Sequence, residues 1–215
     1  MIDKFSKALV TMFGVGYFKP PGTAASFITC VIWYLFAFRD YYITPYRIPS
    51  WDIKYYDPLG INIDGRIFVL LLLILITFYS IIVIDKFFEK KDSPEIVIDE
   101  VVGQSIPLLF YFSWQPATYG YEIQYYSEAN LSITIWVALS FLFFRFFDIK
   151  KPPPIHKIDR NIKNGVGVML DDITAGFITC IPVLLLHDIV MFIYCEHIAS
   201  NILEHFFVTF FYNLF

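Results

Sequence analysis

The feature that most constrains this chain is an unbroken apolar run from Ile67 to Ile84, which contains eighteen residues and no charged side chain. A helix of that length spans about 27 Å, close to the thickness of the hydrocarbon core of a bilayer. The chain as a whole is 57% hydrophobic with a mean hydropathy of +0.59, whereas soluble domains are roughly 45–50% apolar. We therefore predict an integral membrane protein whose 215 residues form a single domain over positions 1–215.

Four other apolar segments complete the predicted fold, which is an all-α helical bundle with about five apolar helices. The segments at 131–147 and 173–194 are long enough to span a bilayer. The segments at 23–38 and 101–114 are shorter, and either could be re-entrant or buried within the bundle. The tail at 198–215 forms a sixth helix or lies at the membrane interface.

The basic residues predict the orientation of the bundle. If the N-terminus is cytoplasmic and the five segments alternate in direction, the cytoplasmic connections hold eleven Lys and Arg residues and the opposite connections hold four. Such an excess is typical of cytoplasmic loops. The net charge of −4 and the lack of a basic arm argue against a nucleic-acid partner. The three cysteines show no zinc-binding spacing and no Cys-x5-Arg loop, which disfavours a cysteine-dependent phosphatase.

The first of three polar segments runs from Gly14 to Ser26 and contains a stiff Pro-Pro-Gly turn. Thr23 follows the turn and is predicted to be the N-cap of the next helix. The free N–H groups at a helix start attract phosphate. The alternative interpretation is a plain loop and cap with no ligand.

The second polar segment places Asp99 and Glu100 at the start of an apolar helix. Glu95 and Asp99 share one helix face, as do Glu100 and Gln104. Paired carboxylates at a membrane boundary repel each other unless a cation or proton intervenes, and hard oxygen ligands suit Mg²⁺. The alternative interpretation is an acidic first turn stabilised by the helix dipole.

The third polar segment begins where a membrane helix ends. Arg145 and Asp148 lie one turn apart, and Lys151 is placed at the helix end because Pro152–Pro154 cannot continue it. An ion pair between Arg145 and Asp148 is the purely structural interpretation. Further along, the segment contains Asp159, Arg160, Asp171 and Asp172.

All three polar segments fall on the side predicted to be cytoplasmic, at the ends of the apolar helices. We therefore predict that five carboxylates and three cationic side chains form one site for a metal ion and a phosphate group, because Arg and Lys bind phosphate oxygens. These residues are Asp99, Glu100, Asp148, Asp171, Asp172, Arg145, Lys151 and Arg160.

At these positions the chain resembles the phosphatidylglycerophosphatase A family. The family's motifs occur in the family's order and cover roughly a third of the chain. The matching residues are Pro21-Gly22-Thr23, Ile98-Asp99-Glu100 with Gly103, Phe144 to Ile155 with Asp159-Arg160-Asn161, and Gly165 to Gly176. Three departures, at Ala25, Pro153 and Asn164, remove no ionisable group.

The resemblance implies a Mg²⁺-dependent phosphatase of bacterial phospholipid biosynthesis, which converts phosphatidylglycerophosphate to phosphatidylglycerol and inorganic phosphate. The hydrophobic runs and the basic residues of this chain, and not the resemblance, predict a multi-pass protein of the bacterial inner (cytoplasmic) membrane with its active site facing the cytoplasm. Asp148 is then a ligand or the water-orienting base. The predicted metal ligands are Asp99, Glu100, Asp171 and Asp172, and the predicted substrate-binding residues are Thr23, Arg145, Lys151 and Arg160.

Three other classes of membrane protein compete with this interpretation. An ion or proton transporter needs carboxylates near the middle of its helices, and only His187 with Asp188 meets that expectation. A CDP-alcohol phosphotransferase needs a spaced Asp-Gly…Gly…Asp…Asp pattern, which is absent. A structural membrane protein leaves the polar clusters unexplained. An aspartyl-phosphate intermediate ranks below attack by water, because the Asp-x-Asp arrangement of aspartate nucleophiles is absent.

Overall fold

A computed structural model describes the backbone of residues 2–43, 65–88, 93–114 and 126–212, and the side chains of residues 4–36, 67–88, 93–110 and 131–194. Over these ranges the chain forms helices and no strand, so the predicted all-α fold is confirmed. The helices are α1 (Ile2–Val10), a 3-10 helix (Met12–Tyr17), α2 (Pro21–Ile43), α3 (Gly65–Phe87), α4 (Ile98–Trp114), α5 (Tyr126–Lys150), α6 (Ile155–Asn161) and α7 (Gly165–Tyr212).

Three helices are long and apolar enough to cross a membrane, and they coincide with the three longest predicted segments. The candidate spans are Ile67–Phe87 in α3, Leu131–Lys150 in α5 and Gly165–Tyr194 in α7. The two shorter predicted segments also form helices; the part of α2 whose side chains the structure describes, Pro21–Phe36, and the 17 residues of α4 are each shorter than 18 residues. The described residues therefore support three spans, and the count of about five stays a prediction.

The surface of α3 shows why a lipid environment suits this fold. Phe68, Leu75, Phe78 and Ile82 all expose more than half of their surface on this helix. Such a continuous apolar surface is rare on soluble monomers. In a bilayer it is the expected outer face, because the helix satisfies its own backbone hydrogen bonds.

Helix α7 begins earlier and ends later than the sequence pattern predicts. Its first turn is capped by two side chains: Asn164 Oδ1 accepts the Gly167 N–H at 3.2 Å, and Asp85 Oδ1 accepts the Gly165 N–H at 2.8 Å. These acceptors satisfy N–H groups that a helix start leaves unpaired. The contact with Asp85 also holds the end of α3 beside the start of α7. The backbone of α7 continues to Tyr212, so most of the predicted tail belongs to this helix.

Close packing of α4 against α7 fixes the geometry of one end of the bundle. A Cβ atom on Gly103 would lie 2.6 Å from the carbonyl oxygen of Asp172, and one on Gly176 would overlap the carbonyl oxygen of Gly103. Only glycine allows this approach. Helices α2, α4 and α7 all begin at this end and α5 ends there, so three helix N-termini direct their positive dipoles toward the same region.

The predicted N-cap role of Thr23 is wrong. Helix α2 begins at Pro21, so Thr23 is its third residue. Proline is favoured at the first helical position because its fixed φ suits the helix and its missing N–H is not needed there. The N–H of Ala24 donates to the carbonyl of Pro20 at 3.1 Å.

Candidate active site

The end of the bundle at which α2, α4 and α7 begin holds a polar cavity of about 530 Å³. Residues from all three predicted polar segments line it, although they are far apart in sequence. The predicted site residues on its wall are Asp99, Glu100, Arg145, Asp148, Lys151, Asp171 and Asp172.

Three carboxylates form the acidic centre of this cavity. Asp99, Glu100 and Asp172 each place one carboxylate oxygen within 4.8 Å of those of the other two. Burial, followed by repulsion from Glu100 and Asp172, raises the pKa of Asp99 well above its ordinary value. Burial also raises the pKa of Glu100, against the opposing effects of a hydrogen bond with Asp99 and the charge of Arg145. The centre therefore concentrates negative charge where water screens it poorly.

The donor set fits a divalent cation. Asp99 Oδ1 and Glu100 Oε2 are buried and find no hydrogen-bond partner in the described part of the chain. The cavity wall carries six carboxylates and three cationic side chains, so negative charge is in excess. A hard cation with oxygen ligands would satisfy the lone pairs and offset that excess.

Arg145 is held beside the acidic centre by Asp148 and lies close to the start of α2. Its NH1 atom donates to Asp148 Oδ2 at 2.5 Å, so the ion pair that the purely structural interpretation expects is present. A Cβ atom on Gly22 would lie 3.2 Å from that NH1 atom and would overlap the carboxylate of Glu100. The absence of a side chain at Gly22 thus brings the start of α2 against both groups.

Lys151 supplies the second cation. It follows the end of α5 with a left-handed φ of 44°, and its N–H donates to the Phe147 carbonyl at 2.8 Å. Its Nζ donates to Asp171 Oδ2 at 2.5 Å and to Asp159 Oδ1 at 3.2 Å. Burial lowers the pKa of Lys151, but the two carboxylates outweigh burial and raise it above its ordinary value. The two carboxylates therefore favour the charged form of Lys151, and Asp171 is paired with it.

Comparison with known proteins identifies the family. The sequence profile of phosphatidylglycerophosphatase A matches residues 8–187, which include every residue described above for the cavity. The chain belongs to the phosphatidylglycerophosphatase A family. As a member of that family it is a phosphatase.

Individual relatives match over different extents. A Bacteroides thetaiotaomicron protein with the provisional name phosphatidylinositol-3-phosphatase is 32% identical over 170 residues, which are 77% of this chain and 83% of that protein. Phosphatidylglycerophosphatase A of Escherichia coli is 52% identical over 44 residues, 20% of this chain and 26% of that enzyme. The Haemophilus influenzae enzyme is 36% identical over 94 residues, 43% of this chain and 45% of that enzyme. No solved structure matches the chain.

Two residues that the family resemblance assigns to the substrate do not line the cavity formed by the described residues. Thr23 lies in the first turn of α2 behind Gly22, and Arg160 is exposed on α6. Their substrate-binding roles stay predictions. Conversely, Asp159 and Lys163 line the cavity although sequence reasoning gave them no role.

Gln104 is a further residue that the sequence analysis did not assign to this phosphatase site. It lies one turn below Glu100 on α4 and is fully buried, and neither atom of its amide has a partner among the described residues. A buried amide without partners is costly. Its placement on the face of Glu100 was readable from the sequence, but its burial was not.

The pair that a transporter would favour is part of the packing near the middle of α7. His187 bonds to Ser132 at 2.9 Å and to Asp188 at 3.2 Å, and its ring stacks edge-on against Trp136. Fifteen residues separate His187 from Asp172, a distance of about 22 Å along a helix. The pair is therefore remote from the cavity of the phosphatase.

Proposed function

We propose that this protein hydrolyses the phosphate monoester of phosphatidylglycerophosphate with the help of Mg²⁺, and releases phosphatidylglycerol and inorganic phosphate in phospholipid biosynthesis. One observation carries the proposal: the buried Asp172 and the half-buried Asp99 and Glu100 bring carboxylate oxygens within 4.8 Å of each other, in a cavity shared with Arg145 and Lys151. Family membership gives the reaction class, and the names of the Escherichia coli and Haemophilus influenzae relatives suggest the substrate.

Asp99, Glu100 and Asp172 would hold the metal ion. When bound, Mg²⁺ would supply positive charge against the phosphate oxygens, which would otherwise be repelled by the acidic wall. Asp171 was predicted as a fourth ligand, but its bond to Lys151 gives it a different proposed task, which is to orient that lysine.

The cationic side chains would bind the phosphate. Arg145 can offer two parallel N–H groups to two phosphate oxygens. Lys151, which directly follows the end of α5, adds a second positive charge. Both would stabilise the charge that develops as water attacks phosphorus and the bond to the glycerol oxygen breaks. Asp148 holds the Arg145 guanidinium in place and is the proposed acceptor of the proton that the attacking water loses.

The location of the cavity suits a lipid substrate. It lies at the ends of the candidate spans α5 and α7, so a headgroup could reach it while the acyl chains stay in the bilayer. The excess of basic residues in the connections at this end supports a cytoplasmic orientation in the inner membrane.

The test is phosphate release by the purified protein from phosphatidylglycerophosphate, with and without EDTA. We expect activity that EDTA abolishes and Mg²⁺ restores. Asp99→Asn and Asp172→Asn should each abolish this activity, whereas the matched control Asp188→Asn, about 24 Å from Asp172 along α7, should retain it. Near-normal turnover of either active-site variant would reject these ligand assignments.

Phosphatidylinositol 3-phosphate is a second candidate substrate, because the Bacteroides thetaiotaomicron relative matches 77% of this chain. The assay therefore includes it and phosphatidic acid at the same surface concentration. Both candidates are phosphate monoesters on a lipid, so the same site chemistry serves either one. A higher kcat/KM for phosphatidylinositol 3-phosphate would replace the proposed substrate and leave the metal site unaffected.

A further inference from the structure

The N-terminal region places large aromatic side chains on its outer surface. Between α1 and the end of the 3-10 helix, Phe5, Phe13, Tyr17 and Phe18 each expose 59% to 72% of their surface. The rings of Phe5 and Phe13 meet edge to face with centroids 6.4 Å apart, so residues from two separate elements form one patch. We call these four residues the aromatic patch.

The backbone adopts a strained conformation to present this patch. Met12 and Phe13 have left-handed φ values of 49° and 52°, and Gly14 follows at 101°. Left-handed backbone is unfavourable for residues that carry a side chain, and persists where the surrounding structure requires it. Here the strained turn gives Phe13 the highest exposure of the patch, 72%. Exposure of an apolar ring is unfavourable in water and favourable in lipid.

The packing of α1 sets the level of the patch relative to the membrane. Ser6 Oγ hydrogen-bonds to the Tyr79 hydroxyl at 2.7 Å, and Val10 packs into one cluster with Val83 and Ile84. Tyr79 lies eight residues before the end of α3 at Phe87, about 12 Å along the helix. Helix α1 therefore lies beside the last turns of a candidate span and not beyond its end. In-plane amphipathic helices occupy this zone, about 5–10 Å into the boundary between headgroups and acyl chains.

The charges around the patch agree with that level. The Nζ atom of Lys7 lies 6.0 Å and 5.9 Å from the ring centroids of Phe87 and Phe88, so this side chain extends toward the end of α3. Lysines at membrane boundaries reach for the headgroups in this way. Lys4 and Lys19 are also exposed. Aromatic rings with nearby lysines are the side chains that proteins concentrate at the lipid interface.

The same region is joined to the active site. The Val97 N–H donates to the Val10 carbonyl at 3.1 Å, two residues before Asp99. A Cβ atom on Gly16 would overlap the carbonyl oxygen of Glu95, so the 3-10 helix lies directly against the segment that leads into α4. Pro20 and Pro21, just after the patch, line the cavity.

We propose that residues 2–18 form an in-plane anchor that inserts the aromatic patch into the lipid interface beside the mouth of the active site. This proposal rests on the membrane insertion of α3 that the proposed function assumes. Its partner is the bilayer surface itself, with a preference for anionic headgroups given by Lys4, Lys7 and the adjoining Lys19.

Spin labels can measure the depth of the patch in the full chain. Cys30 and Cys180 are buried, so only Cys195 needs replacement before single cysteines are introduced by Phe13→Cys and Phe18→Cys. A sample without an introduced cysteine shows any background labelling. The protein is reconstituted in vesicles of phosphatidylethanolamine and phosphatidylglycerol, and collisions with oxygen and with a water-soluble nickel complex are recorded. Phe78→Cys, on the outer face of α3, is the reference for lipid. Lys157→Cys, at an exposed position of α6, is the reference for water.

We expect labels at positions 13 and 18 to show an oxygen-to-nickel collision ratio several-fold above that at position 157 and below that at position 78. Ratios at 13 and 18 equal to that at 157 would overturn the anchor while leaving the insertion of α3 intact. A water-like ratio at position 78 as well would overturn both the anchor and the proposed membrane insertion. Because no enzymatic activity is measured, failure of the proposed reaction cannot imitate either result.

Discussion

The substitution Gly103→Ala tests whether the contact between α4 and α7 positions the acidic centre. The new Cβ atom would lie 2.6 Å from the Asp172 carbonyl oxygen and 2.8 Å from the Phe144 ring, whereas ordinary contacts begin at 3.4 Å. Because one of these neighbours is backbone, relief requires the helices to separate by up to 0.8 Å, from 2.6 Å to 3.4 Å. The separation moves Asp172 away from Asp99 and Glu100.

A shift of that size is large for a catalytic site. Catalytic groups must be held to within about 0.5 Å of their productive positions, and a misplacement of about 1 Å can lower a rate by roughly 100-fold. We therefore expect kcat/KM for phosphatidylglycerophosphate to fall by roughly 30- to 100-fold in Gly103→Ala. We also expect a higher Mg²⁺ concentration for half-maximal activity, because the three carboxylates would no longer converge.

Overpacking lowers stability as well, typically by about 1–3 kcal/mol, so a control must share that loss. Val183→Ala supplies it, because Val183 is fully buried on α7 and lies about 16 Å from Asp172 along the helix. The empty space left by the shorter side chain should lower stability by a comparable ~1–3 kcal/mol. It should leave kcat/KM near that of the parent. Both variants are assayed in detergent after their melting temperatures are measured. Unchanged turnover and Mg²⁺ dependence in Gly103→Ala would refute the positioning argument.

Two further substitutions separate binding from stability. Lys151→Met removes a charge-assisted bond of about 1.5–3 kcal/mol, so we expect KM to rise about 10- to 100-fold with a smaller change in kcat. Lys157→Met, at an exposed position, is its control. An equal rise of KM in both variants would contradict a specific phosphate contact. Gln104→Met replaces a buried amide, which has no partner among the described residues, by an apolar group of similar length, so we expect stability to rise by up to ~1–3 kcal/mol, measured as a higher melting temperature. A lower melting temperature would show that the amide is a satisfied structural group.

The sequence predicts best what depends on continuous local pattern. The apolar run at 67–84 became the helix Gly65–Phe87, because eighteen uncharged apolar residues have no competing local structure. The helix end before Lys151 also followed from local rules, since three prolines come next. The pairing of Arg145 with Asp148 needed only helical spacing.

Long-range contacts limit the prediction elsewhere. Helix α7 has a local cap in Asn164, but its second cap is Asp85, eighty residues earlier, and no local signal records that bond. The sequence groups Asp171 with Asp172, but adjacent helical residues face different directions, so Asp171 meets Lys151 while Asp172 meets Asp99 and Glu100. The left-handed backbone at Met12 and Phe13 likewise corresponds to no recognisable sequence pattern.

The most direct test of the account is to locate the metal. Crystals of the protein grown with Mn²⁺ in place of Mg²⁺ would give an anomalous scattering signal at every occupied site. The account predicts a strong peak coordinated by carboxylate oxygens of Asp99, Glu100 and Asp172, and its loss in Asp172→Asn. The contradicting result is a protein that hydrolyses its lipid substrate with Mn²⁺ while the ion is bound elsewhere. In that case no Mn²⁺ would lie at the three carboxylates, and they would not be the metal site.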